Sequence, residues 1–199
     1  MRVISGKYRG RQLKGPPSAQ TRPTSDRLRE TLFNVLAPRI EGARFLDLCA
    51  GTGAVGIEAL SRGAEHVTFV DKSRKMCGLI EANLDALKIE SENVDVVGAD
   101  ATACLKKFAK QIKPSLTAGL MPRLPGPFDI IFFDPPYAGD YEAVLSFVSE
   151  YRAPLLSDEG IVVVEHYKKK ELPAEFGSLK CYRTLKQGDS VLSFFKRIE

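Results

Sequence analysis

From residue 44 onward the chain alternates short β-branched apolar runs with stretches of helical periodicity, and that alternation leaves few folds open. The runs are Phe45 to Leu48, Val67 to Val70, Val94 to Val97, Asp129 to Phe133 and Ile161 to Glu165, with helices expected from Ala54, Ser73, Ala101 and Asp140. Strands of this composition are buried on both faces, which implies a mostly parallel sheet flanked by helices. The tail breaks the pattern. Leu179 to Arg197, turning at Gln187, Gly188 and Asp189, reads as an antiparallel hairpin. The 199 residues suffice for one α/β domain with small additions and leave little room for another.

Ahead of this region, Leu28, Leu32, Val35 and Leu36 have the spacing of an amphipathic helix over Ser25 to Ala37, with Thr24 or Ser25 as N-cap and Pro38 as its stop. Residues 1–22 read as a hairpin or extended arm, punctuated by Gly6, Gly10, Gly15, Pro16 and Pro17, that buries little by itself. Residues 1–44 hold ten Lys and Arg against three Asp and Glu, a net +7, while the remaining residues sum to −3. A basic segment on a near-neutral body suits a polyanion, because each neutralised phosphate releases counterions. Arg9, Arg11 and Arg27 are candidates for that contact.

No apolar run approaches the roughly 18 residues a membrane span requires, and no signal-peptide pattern follows Met1, so a cytoplasmic location is expected. Cys49, Cys77, Cys104 and Cys181 form no C-x-x-C pair, and the only histidines are His66 and His166. A metal site and a disulfide framework are therefore not expected. His166 beside Lys168, Lys169 and Lys170 reads as a strand-end histidine next to a solvated lysine run.

The segment Asp47-Leu-Cys-Ala50-Gly51-Thr52-Gly53-Ala-Val-Gly56 follows the first core strand and opens a helix. Gly51 and Gly53 permit a tight turn and close approach of backbone to a ligand, and Gly56 lets the helix lie against the sheet. The spacing is formally that of a dinucleotide site, with Asp71 placed for ribose hydroxyls. Asp47, however, suits a cationic amino-acid end such as the methionine moiety of S-adenosylmethionine and would repel a pyrophosphate. Asp100, followed by Ala101, ends the third strand where it can accept from an adenine amine. Taken one at a time, such aspartates also serve as helix caps. Three at successive strand ends favour a nucleoside-containing ligand.

Asp134-Pro135-Pro136-Tyr137 follows the apolar fourth strand. Two prolines cannot continue a central strand, so the chain leaves the sheet there on a stiff backbone, presenting Asp134 and the Pro135 carbonyl as acceptors. Two fixed acceptors on the N–H groups of a base amine orient and polarise a poor nucleophile, and Tyr137 offers a ring for stacking. The pattern points to methylation of an exocyclic base amine, driven by proximity and electrostatic placement, with no metal or covalent intermediate.

With these words, together with Gly6-Lys-Tyr-Arg9-Gly-Arg11, Leu13 and Arg22-Pro23-Thr24-Ser-Asp-Arg27-Leu-Arg-Glu-Thr-Leu-Phe-Asn34, nearly the whole chain resembles the bacterial family that methylates the N2 amine of a guanine in 16S ribosomal RNA. The resemblance implies a Rossmann-like class I S-adenosylmethionine-dependent methyltransferase fold with a seven-stranded sheet. It carries cofactor roles onto Asp47, Ala50, Gly51, Thr52, Gly53, Asp71, Asp100 and Ala101, and base binding onto Asp134 to Tyr137. Arg22, Pro23 and Thr24 would line the mouth of the site. The implied substrate is 16S rRNA in small-subunit assembly intermediates, and the expected protein is a monomer. Residues 113–126, rich in Pro and Gly, depart from the family pattern as a longer connection, read as a mobile insert that leaves the chemistry intact. The four-residue word also serves adenine-N6 and cytosine-N4 methylation of DNA; a nicotinamide-dependent dehydrogenase and a non-catalytic RNA-binding protein of the same fold are the remaining alternatives.

Overall fold

The computed structural model describes residues 1–15, 24–111, 127–136, 140–150 and 155–198. Arg22, Pro23, Tyr137 and the 113–126 connection lie outside them. The expected alternation is observed: β1 (Arg44–Leu48), α2 (Ala54–Ser61), β2 (His66–Asp71), α3 (Arg74–Leu87), β3 (Val94–Gly98), α4 (Ala101–Gln111), β4 (Phe128–Phe133), α5 (Tyr141–Glu150) and β5 (Leu156–Tyr167). Helix α1 (Asp26–Leu36) precedes them, and β6 (Glu175–Phe176), β7 (Leu179–Gln187) and β8 (Ser190–Arg197) close the chain.

The strands form one sheet in the order β3-β2-β1-β4-β5-β8-β7-β6. Strands β1 to β5 pair in parallel, and β8 inserts antiparallel between β5 and β7. The sheet thus has eight strands where the family resemblance implied seven. The additional one, β6, is a two-residue strand held by the pairing of Phe176 with Leu179 and by the packing of Phe176 on Phe195. Two residues are too few to carry any periodic signal. The order of the strands reverses between β1 and β4, so a crevice opens at their carboxyl ends.

Each sheet face carries its own apolar layer. One holds α1, α2 and α3 through Leu28, Leu32, Phe33, Ile57 and Ile80; the other holds α4 and α5 through Leu105, Phe108, Val144 and Leu145. Ser25 caps α1, its hydroxyl accepting from the Leu28 N–H at 3.2 Å, and Ser73 caps α3. Pro38 falls in a 3-10 turn, Ala37–Arg39, that ends the helix. Arg27, Glu30 and Asn34 face solvent, but Arg29 on the same helix is fully buried.

The N-terminal hairpin packs more firmly than its sequence suggests. The Val3 N–H donates to the Arg11 carbonyl and the Leu13 N–H to that of Met1, and Val3 and Leu13 join the core. Glu58 of α2 accepts from the Ile4 and Ser5 N–H groups at 2.8 and 2.9 Å, and the Ser61 hydroxyl accepts from Tyr8 at 2.9 Å. Asn83 of α3 closes the far end, accepting from the Lys14 N–H at 2.8 Å. These polar anchors dock the expected hairpin or arm against α2 and α3. Among the described residues no helix is long and apolar enough to cross a membrane.

Candidate active site

The glycine-rich loop leaves β1 through Cys49, a non-glycine residue at φ 64°, and continues through Gly51 and Gly53 at φ 55° and 76°. A side chain at Gly56 would lie 2.3 Å from the Phe69 ring, so only glycine lets α2 approach the sheet here. The loop is held from below and from the side. Asp47 is almost wholly buried and accepts from the Gly56 N–H at 2.9 Å. Asp71, at the end of β2, accepts from the Gly51 and Ser73 N–H groups at 2.9 and 2.8 Å.

The remaining expected cofactor residues divide by environment. Thr52 is buried, its hydroxyl turned toward the Met1 sulfur and its carbonyl accepting from Asn83 at 3.1 Å. Ala50 and Gly51 are half-buried on the loop. Asp100 is exposed and caps α4 by accepting from the Ala103 N–H at 3.2 Å, while the Ala101 side chain packs into the core. The capping role does not exhaust a carboxylate, which keeps further lone pairs for a ligand.

The electrostatics of the crevice are legible at Cys49. Its thiol is pushed up to about 12, by burial first and then, in order, by the charges of Asp71, Asp134, Asp47 and Asp100. Four carboxylates from four different strand ends therefore converge on one loop. Such a field welcomes a cation and repels a pyrophosphate. Asp47 itself is pushed up to about 7, by burial first and by Asp71 last, against the Gly56 hydrogen bond that lowers it.

Asp134 follows β4, and its N–H donates to the Leu48 carbonyl at 3.3 Å, which sets it beside the loop. Pro135 is buried and Pro136 exposed. The Asp134 carboxyl is raised well above the ordinary range, chiefly by burial, then by Glu165 and Asp47, with the Thr24 hydrogen bond opposing. Thr24, expected at the mouth of the site, lies beside these two carboxyls. Its hydroxyl lies 3.0 Å from Glu165 Oε2 and 3.5 Å from Asp134 Oδ2. Glu165 was not anticipated as a site residue; the available signal was an acid closing an apolar strand run.

The basic candidates sit elsewhere. Arg9 and Arg11 are exposed on the docked hairpin, with Arg11 reaching the Ala86 carbonyl at 3.4 Å, and Arg27 is exposed on α1. His166 proves structural as expected: its ring is buried, bonded to the Ser193 hydroxyl at 2.9 Å, and burial lowers its pKa. Lys168, Lys169 and Lys170 are exposed beyond it.

The family described as Conserved hypothetical protein 95 matches residues 1–196. YlbH of Bacillus subtilis (strain 168) is 38% identical over 198 residues, 99% of each chain. Ribosomal RNA small subunit methyltransferase D of Escherichia coli (strain K12) is 34% identical over 198 residues, 99% of this chain and 90% of that relative. The solved structure of yhhF from Escherichia coli matches with a TM-score of 0.79 at 33% identity, covering 99% of this chain and 97% of the other.

Proposed function

The chain belongs to the family described as Conserved hypothetical protein 95, and from that premise we propose that it is an S-adenosylmethionine-dependent methyltransferase of small-subunit ribosomal RNA, acting on the N2 amine of a guanine. The observation that carries the reading is the convergence of Asp47, Asp71, Asp100 and Asp134 on the glycine-rich loop. A ligand that is both a nucleoside and a cation fits that field; a dinucleotide with its pyrophosphate does not. The likeness over 99% of this chain to a relative named as a ribosomal RNA small subunit methyltransferase supports the substrate class. When bound, S-adenosylmethionine supplies an electrophilic methyl on a sulfonium.

The chain's own residues do the rest. Gly51 and Gly53 present backbone to the ligand, Asp71 and Asp100 accept from its hydroxyl and amino groups, and Asp47 lends negative charge from beneath the loop. Asp134 and the Pro135 carbonyl accept from the two N–H groups of the target amine, turning its lone pair toward the methyl, and Tyr137 stacks on the base. Pro136 stiffens the turn. The family resemblance assigns Arg22, Pro23 and Thr24 to the entrance. Arg9, Arg11 and Arg27 contact RNA phosphates. A base within a helix must first be extruded, at a cost of a few kcal/mol. Residues 1–199 act as one methyltransferase domain, a monomer working on small-subunit assembly intermediates in the cytoplasm. Transfer of labelled methyl to unmodified small-subunit particles, with identification of the methylated nucleoside, tests the reading.

A further inference from the structure

We infer that Glu165 is a second proton-accepting carboxylate of the site, joined to Asp134 through the hydroxyl of Thr24. The inference rests on the proposed methyl transfer and adds a destination for the proton that the amine must lose.

Phe133 and Val164 are partners across β4 and β5, so the residues that follow them, Asp134 and Glu165, stand next to each other where β4 ends against its parallel neighbour. Glu165 is buried, at 8% exposure, although it lies near a strand end where a carboxylate could reach water. Its two oxygens are engaged separately: Oε1 accepts from the Ser190 hydroxyl at 3.0 Å and Oε2 from Thr24 at 3.0 Å. Thr24 Oγ1 then lies 3.5 Å from Asp134 Oδ2. A hydroxyl has one proton to give and lone pairs to receive, so Thr24 can donate to Glu165 while accepting from a protonated Asp134. The pieces come from three separate parts of the chain, before α1, after β4 and on β5. Structural needs of the strands do not call for that convergence.

Among the described residues, the charged and titratable groups around Asp134 include Glu165 from β5, Asp47 from β1 and Cys49 from the loop. The charge on Glu165 raises the Asp134 carboxyl, so the two titrate as a coupled pair. A cationic methyl donor in the site favours the ionised pair, leaving it able to accept a proton.

In the transfer, the amine lone pair forms the N–CH3 bond while the methyl–sulfur bond breaks, its electrons remaining on sulfur. The nitrogen, now positive, loses an N–H proton to Asp134 and keeps the bonding pair. Asp134 Oδ2 passes a proton to Thr24 Oγ1 as Thr24 gives its own to Glu165 Oε2. Asp134 is a carboxylate again and Glu165 holds the proton.

Two measurements on the full chain test this. In the first, carboxyl carbons are followed by NMR through a pH titration of the protein alone. The expected result is two coupled steps, one well above the ordinary carboxylate range, with the upper step lost in Glu165→Gln. Two independent ordinary titrations in the wild type overturn the inference. In the second, single-turnover methyl transfer to unmodified small-subunit particles is followed against pH. Glu165→Gln keeps acceptor and shape but cannot take the proton; a fall of roughly 100-fold is expected, with an altered pH profile. Thr24→Val should fall similarly, Thr24→Ser should retain more activity than Thr24→Val, and the Thr24→Val, Glu165→Gln double variant should fall no further. A Glu165→Gln variant with wild-type rate and pH profile overturns the proton role. A wild type that transfers no methyl overturns the proposed function beneath it, whereas the NMR titration reads the carboxyl pair with no methyl transfer involved.

Discussion

Arg29 of α1 and Glu58 of α2 face each other at 3.7 Å with no side-chain surface exposed on either. Glu58 also holds Arg62 at 2.7 Å and the Ile4 and Ser5 N–H groups, while Arg29 reaches Asp26 at 3.0 Å and the Arg2 carbonyl. One carboxylate therefore ties the N-terminal hairpin to α1 and α2. Removing one partner of a buried pair strands the other, which typically costs about 3–5 kcal/mol. Glu58→Ala is expected to lose that much in urea unfolding and to make the hairpin accessible to protease under native conditions. Stability within about 1 kcal/mol of wild type, on the scale of an exposed pair, would remove Glu58 from this role.

The sequence discloses the strands and helices because each of those elements buries a periodic face. It discloses the loop and the Asp134 turn because glycine and proline restrict the backbone in ways side chains cannot disguise. The docking of the hairpin is less visible. Glu58, Ser61 and Asn83 are polar residues on helices, and their partners lie 53 to 69 positions away. Only the isolation of Glu58 in the otherwise apolar stretch Ala54 to Leu60 hints at burial. Glu165 is hidden for the same reason: its meaning depends on Thr24, 141 residues away, and on Asp134 at the end of a neighbouring strand. Strand β6 is too short to have a pattern.

Arg9 and Arg11 are exposed on a hairpin that is itself anchored, so their charges are presented on a fixed surface. Reversal of both to Glu should weaken RNA binding and flatten its dependence on salt by nearly two counterions, leaving cofactor affinity unchanged. Binding measured across a salt series decides it; an unaltered slope would take the hairpin out of the RNA interface.

Asp47 makes stability depend on pH in a direction opposite to a salt-bridged aspartate. Its carboxyl is raised from 3.8 to about 7 in the folded chain, so the unfolded chain ionises first. Its contribution is full below about pH 4 and is lost as pH rises through about 7. Asp47→Asn should flatten that decline and raise stability at pH 8, with a ceiling of about 4 kcal/mol, while weakening cofactor binding. Urea unfolding at pH 5 and pH 8 compares the two proteins; equal declines would contradict the assignment.

Asp134 is assigned to the base rather than to the methionine end of the cofactor. Asp134→Ala should therefore abolish turnover while leaving S-adenosylmethionine affinity within a few-fold of wild type, as calorimetry would read it. A large loss of cofactor binding would move Asp134 into the cofactor site.

Guanine-N2 methylation of small-subunit RNA is decided by incubating the protein with labelled S-adenosylmethionine and small-subunit particles that lack the modification, then separating the nucleosides. N2-methylguanosine carrying the label is the predicted product. Label on adenine N6 or cytosine N4 in a parallel DNA reaction, or no transfer to either substrate, would contradict it.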